Sequence, residues 1–580
     1  MRIPALFAIC AGLASAQSID PELAAHTALF ARKIYKVAPN VYSAVGYSLG
    51  NSIMIEGADG VIIVDTLSSV EAARLVMAEF RKITPKPIVA VVYTHFHPDH
   101  TSGVKGFVSA EDVASGRVAI YAQESLMKNY VTQGELIGPI LGVRSSYSFG
   151  AGMTAEERQG MNYGLGPLYA TGSTSFIQPT KTFSEQMETT IAGVKLRFTH
   201  SPSETPDHAT IFLPDSRTLI SGDMIQGPAF PNIHTLRGAS FRDPLAWVES
   251  IDRARELKAE FLAPSHGQPV SNGAKVEEVM RNYRDGIQFV HDQTIRYMNK
   301  GMTPDELVAA VKLPPDLDHY APYLRPFYGT VSHSVREIYV GYLGWFEGDP
   351  VALDPTPPME SARRHVTLMG GRDRVLSEAR QAMEAGDAQW AAELATYLIR
   401  IRHDDHEART VKAAAFRKLG FASKNINWRD WYLASAHELD GTLDTAAVTA
   451  RARANFGSPE TIAALPARTW VAGLTTRLKA EDTLGVDTTM AFRFPDVKEA
   501  YALEVRRGVA QFDERTPDRA DVAIEMEKKT LDRMLLSQLT LVRGLNSGDI
   551  KVTAGTRAEV LKFFEYFEPA AGDPIALTVR

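Results

Sequence analysis

Three histidines and one aspartate stand within six positions, directly after an apolar run of the type that forms a buried strand. On a strand-to-loop edge, His95 and His97 share one side and can bind one metal ion, whereas Asp99 and His100, a turn further on, can face a second. Imidazole and carboxylate ligands without thiolate suit Zn²⁺, Mn²⁺ or iron. A histidine-rich loop without function is the alternative, but four such residues at one strand end favour a metal site.

One loop cannot complete two coordination spheres, so further ligands must come from other parts of the chain. Three candidates each follow an apolar run, namely Glu204, Asp223 and His266. Taken alone, each residue type is more often a cap, a turn or a surface group. Together, in this order after the histidine-rich loop, they predict the remaining ligands of the same centre.

The overall composition is that of an ordinary globular protein with several domains. The chain has 580 residues, 45% of them hydrophobic, and its 62 basic and 69 acidic side chains give a net charge of −7. A chain of this length divides into about two or three domains. Because a basic excess is needed to displace counterions from phosphates, the composition argues against a nucleic-acid partner.

Residues 1–16 have the pattern of a secretory signal, in which Arg2 precedes a short apolar run that ends with small residues at Ala14 and Ala16. The run is too short to cross a bilayer, and no later segment offers about 18 consecutive apolar residues. We therefore expect a secreted or periplasmic protein without an integral membrane segment; a frayed N-terminal helix is the alternative. The only cysteine, Cys10, lies in this segment, which excludes disulfides and thiol catalysis from the mature chain.

The hydrophobic pattern divides the rest of the chain into three domains. Residues 17–349 alternate strand-like runs with helical stretches, which predicts a layered α/β domain, and the turn Gly57-Ala-Asp-Gly60 between two apolar runs predicts a hairpin. A proline-rich linker then leads into residues 350–455, which have the periodicity of helices. Residues 456–580 alternate in the manner of half-buried strands, with a helical run at 530–545, and predict a small α+β domain.

The order of the ligand motifs resembles that of the metallo-β-lactamase superfamily, a four-layer αββα sandwich with one or two metal ions along the sheet edges. Glu204 stands where that superfamily usually has histidine, and a glutamate there is typical of its alkyl sulfatases. The resemblance covers nearly the whole mature chain and implies an αββα catalytic domain, a helical dimerisation domain and a C-terminal domain similar to sterol carriers. Further motifs that resemble this family are Asn232–Gly238, Tyr328–His333, Gly344–Pro350 and Asn427–Tyr432.

This resemblance implies two Zn²⁺ ions per chain. The implied ligands are His95, His97 and Glu204 for the first ion, Asp99, His100 and His266 for the second, and Asp223 as the bridge. Two positions depart from the family, because many alkyl sulfatases have glutamate in place of Asp223 and a second glutamate in place of His208. Aspartate is the usual bridging residue of the wider superfamily, so we expect metal binding to be retained.

A sulfate group also needs fixed donors, for which arginine and amide side chains are suited. The candidate substrate-binding residues are Asn232, Arg237, Arg242 and Tyr328. His333 is a candidate acid for the leaving alkoxide, and Asp99 is a candidate proton shuttle on the nucleophilic water in addition to its role as a ligand. Each of these residues has a structural alternative, either as a solvated charge or as a core residue with a satisfied hydrogen bond.

The function that follows from the resemblance is hydrolysis of small amphiphilic alkyl sulfate esters to an alcohol and inorganic sulfate. Two zinc ions lower the pKa of a bridging water, so that a metal-bound hydroxide can attack, and their charge offsets the anion. An insertion rich in methionine and aromatic residues, between positions 153 and 176, either lines the alkyl tail or packs as an ordinary loop. The family also implies a homodimer. The alternatives are a related hydrolase of phosphodiesters, lactones or lactams, and an amphiphile-binding protein without catalysis.

Overall fold

The computed structural model forms two sheets packed face to face between helices, followed by a helical domain and a third sheet with helices of its own. None of the helices it describes combines the length and the apolar composition that a membrane span requires. The predicted signal, residues 1–16, lies outside the described residues. The described ranges are 20–168, 172–456, 459–515, 519–569 and 573–579.

The first sheet has its seven strands in chain order, antiparallel over the first four and parallel from the fourth to the seventh. The fourth strand is buried along its whole length, as its unbroken apolar run predicts, and the predicted hairpin turn precedes it. The strands are β1 (Lys33–Ala38), β2 (Val41–Val45), β3 (Ser52–Glu56), β4 (Val61–Val64), β5 (Ile88–Val92), β6 (Ala119–Gln123) and β7 (Lys181–Phe183).

The second sheet has six strands, of which only the two that end at Gly222 and Pro264 pair in parallel. Its inner face and that of the first sheet form one apolar cluster, in which Ile55 and Val64 meet Phe198 and Ile220. The strands are β8 (Gln186–Ile191), β9 (Val194–His200), β10 (Ala209–Leu213), β11 (Thr218–Gly222), β12 (Phe261–Pro264) and β13 (Val270–Ser271).

Helices cover the outer faces of both sheets, which completes the predicted αββα sandwich. The helix over the first sheet begins where the Ser69 side chain accepts a hydrogen bond from the Ala72 N–H, and it buries Val76 and Phe80. The helices of this domain are α1 (Pro21–Ala28), α2 (Val70–Ile83), α3 (Pro98–Thr101), α4 (Ala110–Ala114), α5 (Leu126–Leu136), α6 (Gly138–Ser148), α7 (Ala155–Arg158), α8 (Pro244–Glu256), α9 (Gly273–Met298), α10 (Pro304–Ala310), α11 (Pro315–Asp318) and α12 (Val331–Leu343).

The helical domain begins at a proline, which suits the first turn of a helix because its missing N–H has no partner there. The predicted break between two helices occurs at Gly386, which has a φ of 91° and ends one helix, while the Asp387 side chain caps the next. The helices are α13 (Pro358–Leu368), α14 (Arg372–Ala385), α15 (Ala388–Ile401), α16 (His406–Ala422), α17 (Ile426–Asp440) and α18 (Thr445–Phe456). Two helices then follow, α19 (Pro459–Ala464) and α20 (Ala467–Ala472), and the second packs Ala467 and Val471 into the core of the C-terminal domain.

The C-terminal domain packs helices on a five-stranded sheet, which confirms its predicted α+β class. The single helical run predicted at 530–545 is wrong in detail: it is two helices, separated near Ser537, whose φ of 58° interrupts the helix. The elements are β14 (Asp487–Phe494), β15 (Glu499–Arg506), β16 (Val509–Asp513), β17 (Val522–Met526), α21 (Lys528–Leu535), α22 (Leu541–Ser547), β18 (Ile550–Ala554) and α23 (Arg557–Glu565).

Candidate active site

The first group of predicted ligands lies at the ends of β5 and β9. His95 Nε2 and His97 Nδ1 are 2.9 Å apart. Glu204 Oε2, from the loop after β9, is 3.9 Å from the former atom and 3.5 Å from the latter. All three side chains are buried.

The second group joins the short helix α3 to the end of β12. Asp99 Oδ2 is 3.3 Å from His100 Nε2 and 3.6 Å from His266 Nε2. Because α3 starts at Pro98, immediately after His97, its aspartate and histidine lie one turn further on and reach His266, while the His100 ring also lies 4.2 Å from the His95 ring. The loop therefore serves both groups, as its spacing predicts.

Asp223, at the end of β11, lies between the two groups. Its Oδ2 is 3.2 Å from His266 Nε2 and its Oδ1 is 3.7 Å from His100 Nε2. A ligand atom of the same carboxylate lies within 4.8 Å of one on His95, which belongs to the first group. The seven residues predicted as ligands thus form one cluster, with Asp223 at the position expected of a bridge.

The cluster has the geometry and chemistry of a divalent metal site. Ligand atoms around a tetrahedral zinc ion lie about 3.4 Å apart, which follows from metal–ligand bonds of about 2.0–2.1 Å. The seven distances above run from 2.9 to 3.9 Å. His100 Nε2 and Asp223 Oδ1 are buried and have no hydrogen-bond partner among the described residues, which is unusual unless an ion satisfies them.

Asp65 is a functional residue that the sequence analysis missed. It follows β4, and its carboxylate accepts hydrogen bonds from His100 Nδ1 at 2.8 Å, Ser265 Oγ at 2.9 Å, and the hydroxyl and backbone N–H of Thr94 at 2.8 and 2.9 Å. By holding a proton on Nδ1, it leaves Nε2 of His100 free to bind a metal. A carboxylate at the end of a buried apolar strand was the available signal, the same one that predicted Asp223.

Two further contacts orient candidate ligands through atoms that do not face the cluster. The Leu49 carbonyl lies 2.9 Å from His266 Nδ1, so Nε2 faces the cluster. His208, which departs from the family pattern, points Nδ1 at the Ser201 carbonyl and accepts the Asp223 N–H on Nε2 at 2.9 Å. Burial lowers the pKa of His208 to about 3, so its neutral ring supports the backbone of Asp223.

The electrostatics of the cluster favour a cation. Burial and the neighbouring histidines lower the pKa of His95 well below its usual value, which keeps the ring neutral and available as a ligand. Burial also opposes a charge on His100, but Asp99, Asp223 and Asp65 outweigh it and raise its pKa well above the usual value. A divalent ion would compensate the same carboxylates.

Arg242 contacts the ligand cluster through Glu204. Its Nη1 lies 2.6 Å from Glu204 Oε1 and 2.5 Å from the Asn232 carbonyl, and the ion pair is almost completely buried. Its Nε and Nη2 atoms have no hydrogen-bond partner among the described residues. Arg242, His97 and Phe241 are among the residues that line a cavity of about 110 Å³. Arg242 therefore holds a metal-ligand candidate and keeps two donors unused.

Arg237 and Tyr328 lie beside the first ligand group. Arg237 Nη2 is 3.3 Å from His97 Nε2, and Nη1 is 3.5 Å from the Tyr328 hydroxyl. Burial raises the pKa of the Tyr328 hydroxyl and the charge of Arg237 lowers it; the effect of burial is larger, and the pKa rises to about 12. The two residues thus present neutral and cationic donors at one edge of the cluster.

Asn232 lies in the same region but is engaged by its neighbours. Its backbone N–H donates to Gln226 Oε1 at 2.7 Å. With its amide oriented to suit the surroundings, the nitrogen donates to the His234 carbonyl and the oxygen accepts from Arg242 Nη1 at 3.3 Å. Its contact with sulfate stays a prediction, and its visible role is to support Arg242.

His333 is placed apart from the other predicted residues. Its backbone is in the first turn of α12. Its ring stacks on Trp428 and lies edge-on to His234, and the indole N–H of Trp428 donates a hydrogen bond to Nε2 of His333. Burial lowers its pKa to about 3, so the ring is neutral near neutral pH. Among the described residues, no hydrogen bond joins it to the ligand cluster, and its role as an acid gains no support from this geometry.

Family models match three successive parts of the chain. They are the metallo-beta-lactamase superfamily at residues 45–266, alkyl sulfatase dimerisation at 303–442 and the alkyl sulfatase C-terminal domain at 455–573. The αββα sandwich is that of a metallo-β-lactamase superfamily protein.

Relatives narrow the assignment. The chain is 54% identical to a linear primary-alkylsulfatase of Pseudomonas sp. (strain ATCC 19151), over 91% of this chain and all of the relative. It is 34% identical to an (R)-specific secondary-alkylsulfatase of Pseudomonas sp., over 90% of this chain and 78% of that one. The solved structure of the stereoselective inverting sec-alkylsulfatase Pisa1 from Pseudomonas sp. superposes with a TM-score of 0.85, at 32% identity, over 94% of this chain and 86% of that one. The chain belongs to the alkyl sulfatase family.

Proposed function

We propose that the protein is a binuclear zinc hydrolase that cleaves alkyl sulfate esters to an alcohol and inorganic sulfate, and that linear primary esters are its preferred substrates. The observation that carries the proposal is the pair of arginines at the edge of the ligand cluster, Arg237, which is half-buried, and Arg242, which is buried. The preference for primary esters rests on the 54% identity to one linear primary-alkylsulfatase; a second primary enzyme and the secondary enzyme are similar to this chain at 32% and 34%.

The metal ions would be held by the two ligand groups, with Asp223 shared between them. When bound, they supply positive charge that makes a water acidic and offsets the charge of the anionic ester. Glu204 adds a negative charge where a histidine would add none, and its ion pair with Arg242 balances that charge. Asp65 and the Leu49 carbonyl keep the ligand nitrogens aimed at the ions.

The sulfate group would lie between the ligand cluster and the arginines. Arg237 offers a planar pair of N–H donors, the Tyr328 hydroxyl lies beside it, and Arg242, which has two unpartnered nitrogens, lines the adjoining cavity. Burial strengthens each of these contacts because little water screens them. Asp99, 17% exposed and the most accessible of the ligands, would hold the proton of the attacking water.

The alkyl tail would leave the site past the insertion between residues 153 and 176. Met161 and Leu165 pack with Tyr328 and Phe327 in one buried cluster, directly beside the sulfate end. Gly164 passes so close that a Cβ there would come within 2.8 Å of the Tyr328 ring. An apolar wall that meets the anion donors is the arrangement that an amphiphile requires.

We also propose a homodimer and export to the periplasm or medium. The dimer is supported by the family match at 303–442 and by large apolar side chains that the single chain leaves exposed there. Those side chains are Leu343, Trp345, Val351, Leu353 and Leu368. Export rests on the signal pattern of residues 1–16 alone.

Turnover of dodecyl sulfate, measured beside nitrocefin and a phosphodiester, tests the proposal. We expect sulfate release that chelation abolishes and zinc restores, with about two zinc ions per chain. Arg237→Met should lower kcat/KM about 10- to 100-fold, the effect of losing a charge-assisted hydrogen bond, whereas Arg217→Met, at an exposed ion pair, should not. Hydrolysis of the lactam or phosphodiester alone, or metal-free protein that only binds detergent, would refute it.

A further inference from the structure

We infer that Arg144 is a positioning residue for Arg237, and that through Arg144 the helical domain helps to set the affinity for the sulfate group. The inference deepens the proposed function and rests on it. Arg144 belongs to α6, outside every motif that the sequence analysis identified.

The guanidinium of Arg144 holds two consecutive peptide groups of the loop that carries the anion-binding arginine. Its Nε donates to the Arg237 carbonyl at 2.7 Å and its Nη2 donates to the Leu236 carbonyl at 2.5 Å. Because the guanidinium is planar and rigid, two such bonds fix the orientation of the loop as well as its distance. A lysine could reach only one carbonyl at a time.

The loop needs such support because it has little regular structure of its own. Residues 232–241 contain neither helix nor strand, and one backbone hydrogen bond, from the Gly238 N–H to the Thr235 carbonyl at 3.0 Å, closes a turn around Arg237. Gly238 has a φ of 105°, which favours glycine and allows the sharp reversal. A displacement of the loop moves the Arg237 guanidinium away from its neighbours, since the half-buried side chain lies within 3.3 Å of His97 and 3.5 Å of Tyr328.

Arg144 is itself held from the helical domain. Its guanidinium lies 5.4 Å from the ring centre of Trp431, and the indole N–H of that residue donates to Ser148 Oγ, also on α6, at 2.9 Å. One turn away, the Tyr147 hydroxyl donates to the Glu438 carboxylate. Both partners belong to α17, so this helix fixes the side of α6 that faces the loop.

The C-terminal segment strengthens the same attachment. Glu438 also accepts backbone N–H groups of residues 577, 578 and 579, at 3.1, 2.8 and 2.7 Å. A buried carboxylate with this many donors has one stable orientation. The contacts form a continuous series from the end of the chain, through Glu438 and α6, to the peptide of Arg237.

The test compares Arg144→Met and Arg144→Lys with Arg477→Met in the full-length, zinc-loaded protein. Arg477 is the matched control, because it too donates through Nε and Nη2 to a backbone carbonyl, that of Glu568 in the C-terminal domain. The readouts are KM and kcat for dodecyl sulfate, the inhibition constant of decane-1-sulfonate, which cannot be hydrolysed in the same way, and the zinc content.

We expect Arg144→Met to raise KM and the sulfonate inhibition constant together by about 10-fold, with a smaller change in kcat and unchanged zinc content. Arg144→Lys should fall between this variant and the parent, and the control should match the parent. If Arg144→Met does not fold, Arg144→Lys decides on the same readouts. Wild-type values of KM and of the inhibition constant in the variants would overturn the inference. A parent protein that neither hydrolyses the ester nor binds the sulfonate would instead overturn the proposed function.

Discussion

Replacing Asp65 by asparagine should weaken metal binding at the site formed by Asp99, His100 and His266 without emptying the other site. The carboxylate accepts four hydrogen bonds, and its Oδ2 holds His100 Nδ1 at 2.8 Å. An amide has only one acceptor oxygen. If that oxygen keeps the contact with His100, the amide nitrogen faces the Thr94 N–H; if it turns over, the nitrogen faces the histidine N–H.

The size of the effect follows from these two orientations. Each orientation of the asparagine amide places two hydrogen-bond donors face to face in a buried site. Each also lacks the negative charge that makes the His100 ring a stronger ligand. Loss of such a supporting contact typically lowers metal affinity about 10- to 100-fold, which corresponds to about 1.4–2.8 kcal/mol. The folded structure should survive, because the asparagine has the same shape.

The assay is equilibrium dialysis at a series of free zinc concentrations set by a chelator, with zinc per chain as the readout. We expect one of two binding steps of Asp65→Asn to move to 10- to 100-fold higher free zinc. Asp215→Asn, which changes an exposed aspartate 3.5 Å from Lys195, serves as the matched control. Coincident binding curves for Asp65→Asn and the parent, with both proteins folded, would refute the reasoning about His100.

Three further predictions concern buried side chains that can carry a charge. Arg242→Met should destabilise the metal-free protein by about 3 kcal/mol, because Glu204 is left buried without a partner, and zinc should restore part of the loss in calorimetry. Burial lowers the pKa of Lys412 from 10.5 to about 8, so this side chain binds its proton more weakly in the folded than in the unfolded protein, and the free energy of unfolding should rise between pH 8 and 10.5. Lys412→Met should remove that rise and increase the free energy of unfolding at pH 7 by about 3 kcal/mol. An unchanged dependence of stability on pH in the variant would contradict this prediction. His333→Gln should leave the pH dependence of kcat between pH 5 and 8 unaltered, because the pKa of His333 is about 3; loss of a titration in that range would instead establish it as the acid.

The clustering of the predicted ligands could be foreseen because each of them follows an apolar strand. The ends of β5, β9, β11 and β12 meet at one edge of the sandwich, so a carboxylate or imidazole that follows a strand is carried to the same place. The same rule applied to β4 would have found Asp65. The helical period also predicted the break between α14 and α15, which occurs at Gly386 as the pattern indicates.

The remaining parts of the site depend on contacts between distant segments, which leave no local pattern. Arg144 and Arg237 are 93 residues apart, and neither the helix nor the loop signals the other in its sequence. His333 has the type and motif of an acid, but the packing of α17 places Trp428 against it. Ser537 interrupts a helix through its backbone angle, although the hydrophobic period continues across it.

The ion pair between Glu204 and Arg242 restricts how this family can diverge. A histidine ligand at position 204 would bind the metal equally well, but it would leave Arg242 as a buried cation without its counterion. A neutral residue in place of Arg242 alone would leave Glu204 as a buried carboxylate without its counterion. We therefore expect a histidine at position 204 to be tolerated only together with a neutral residue at position 242, a paired change on two different loops.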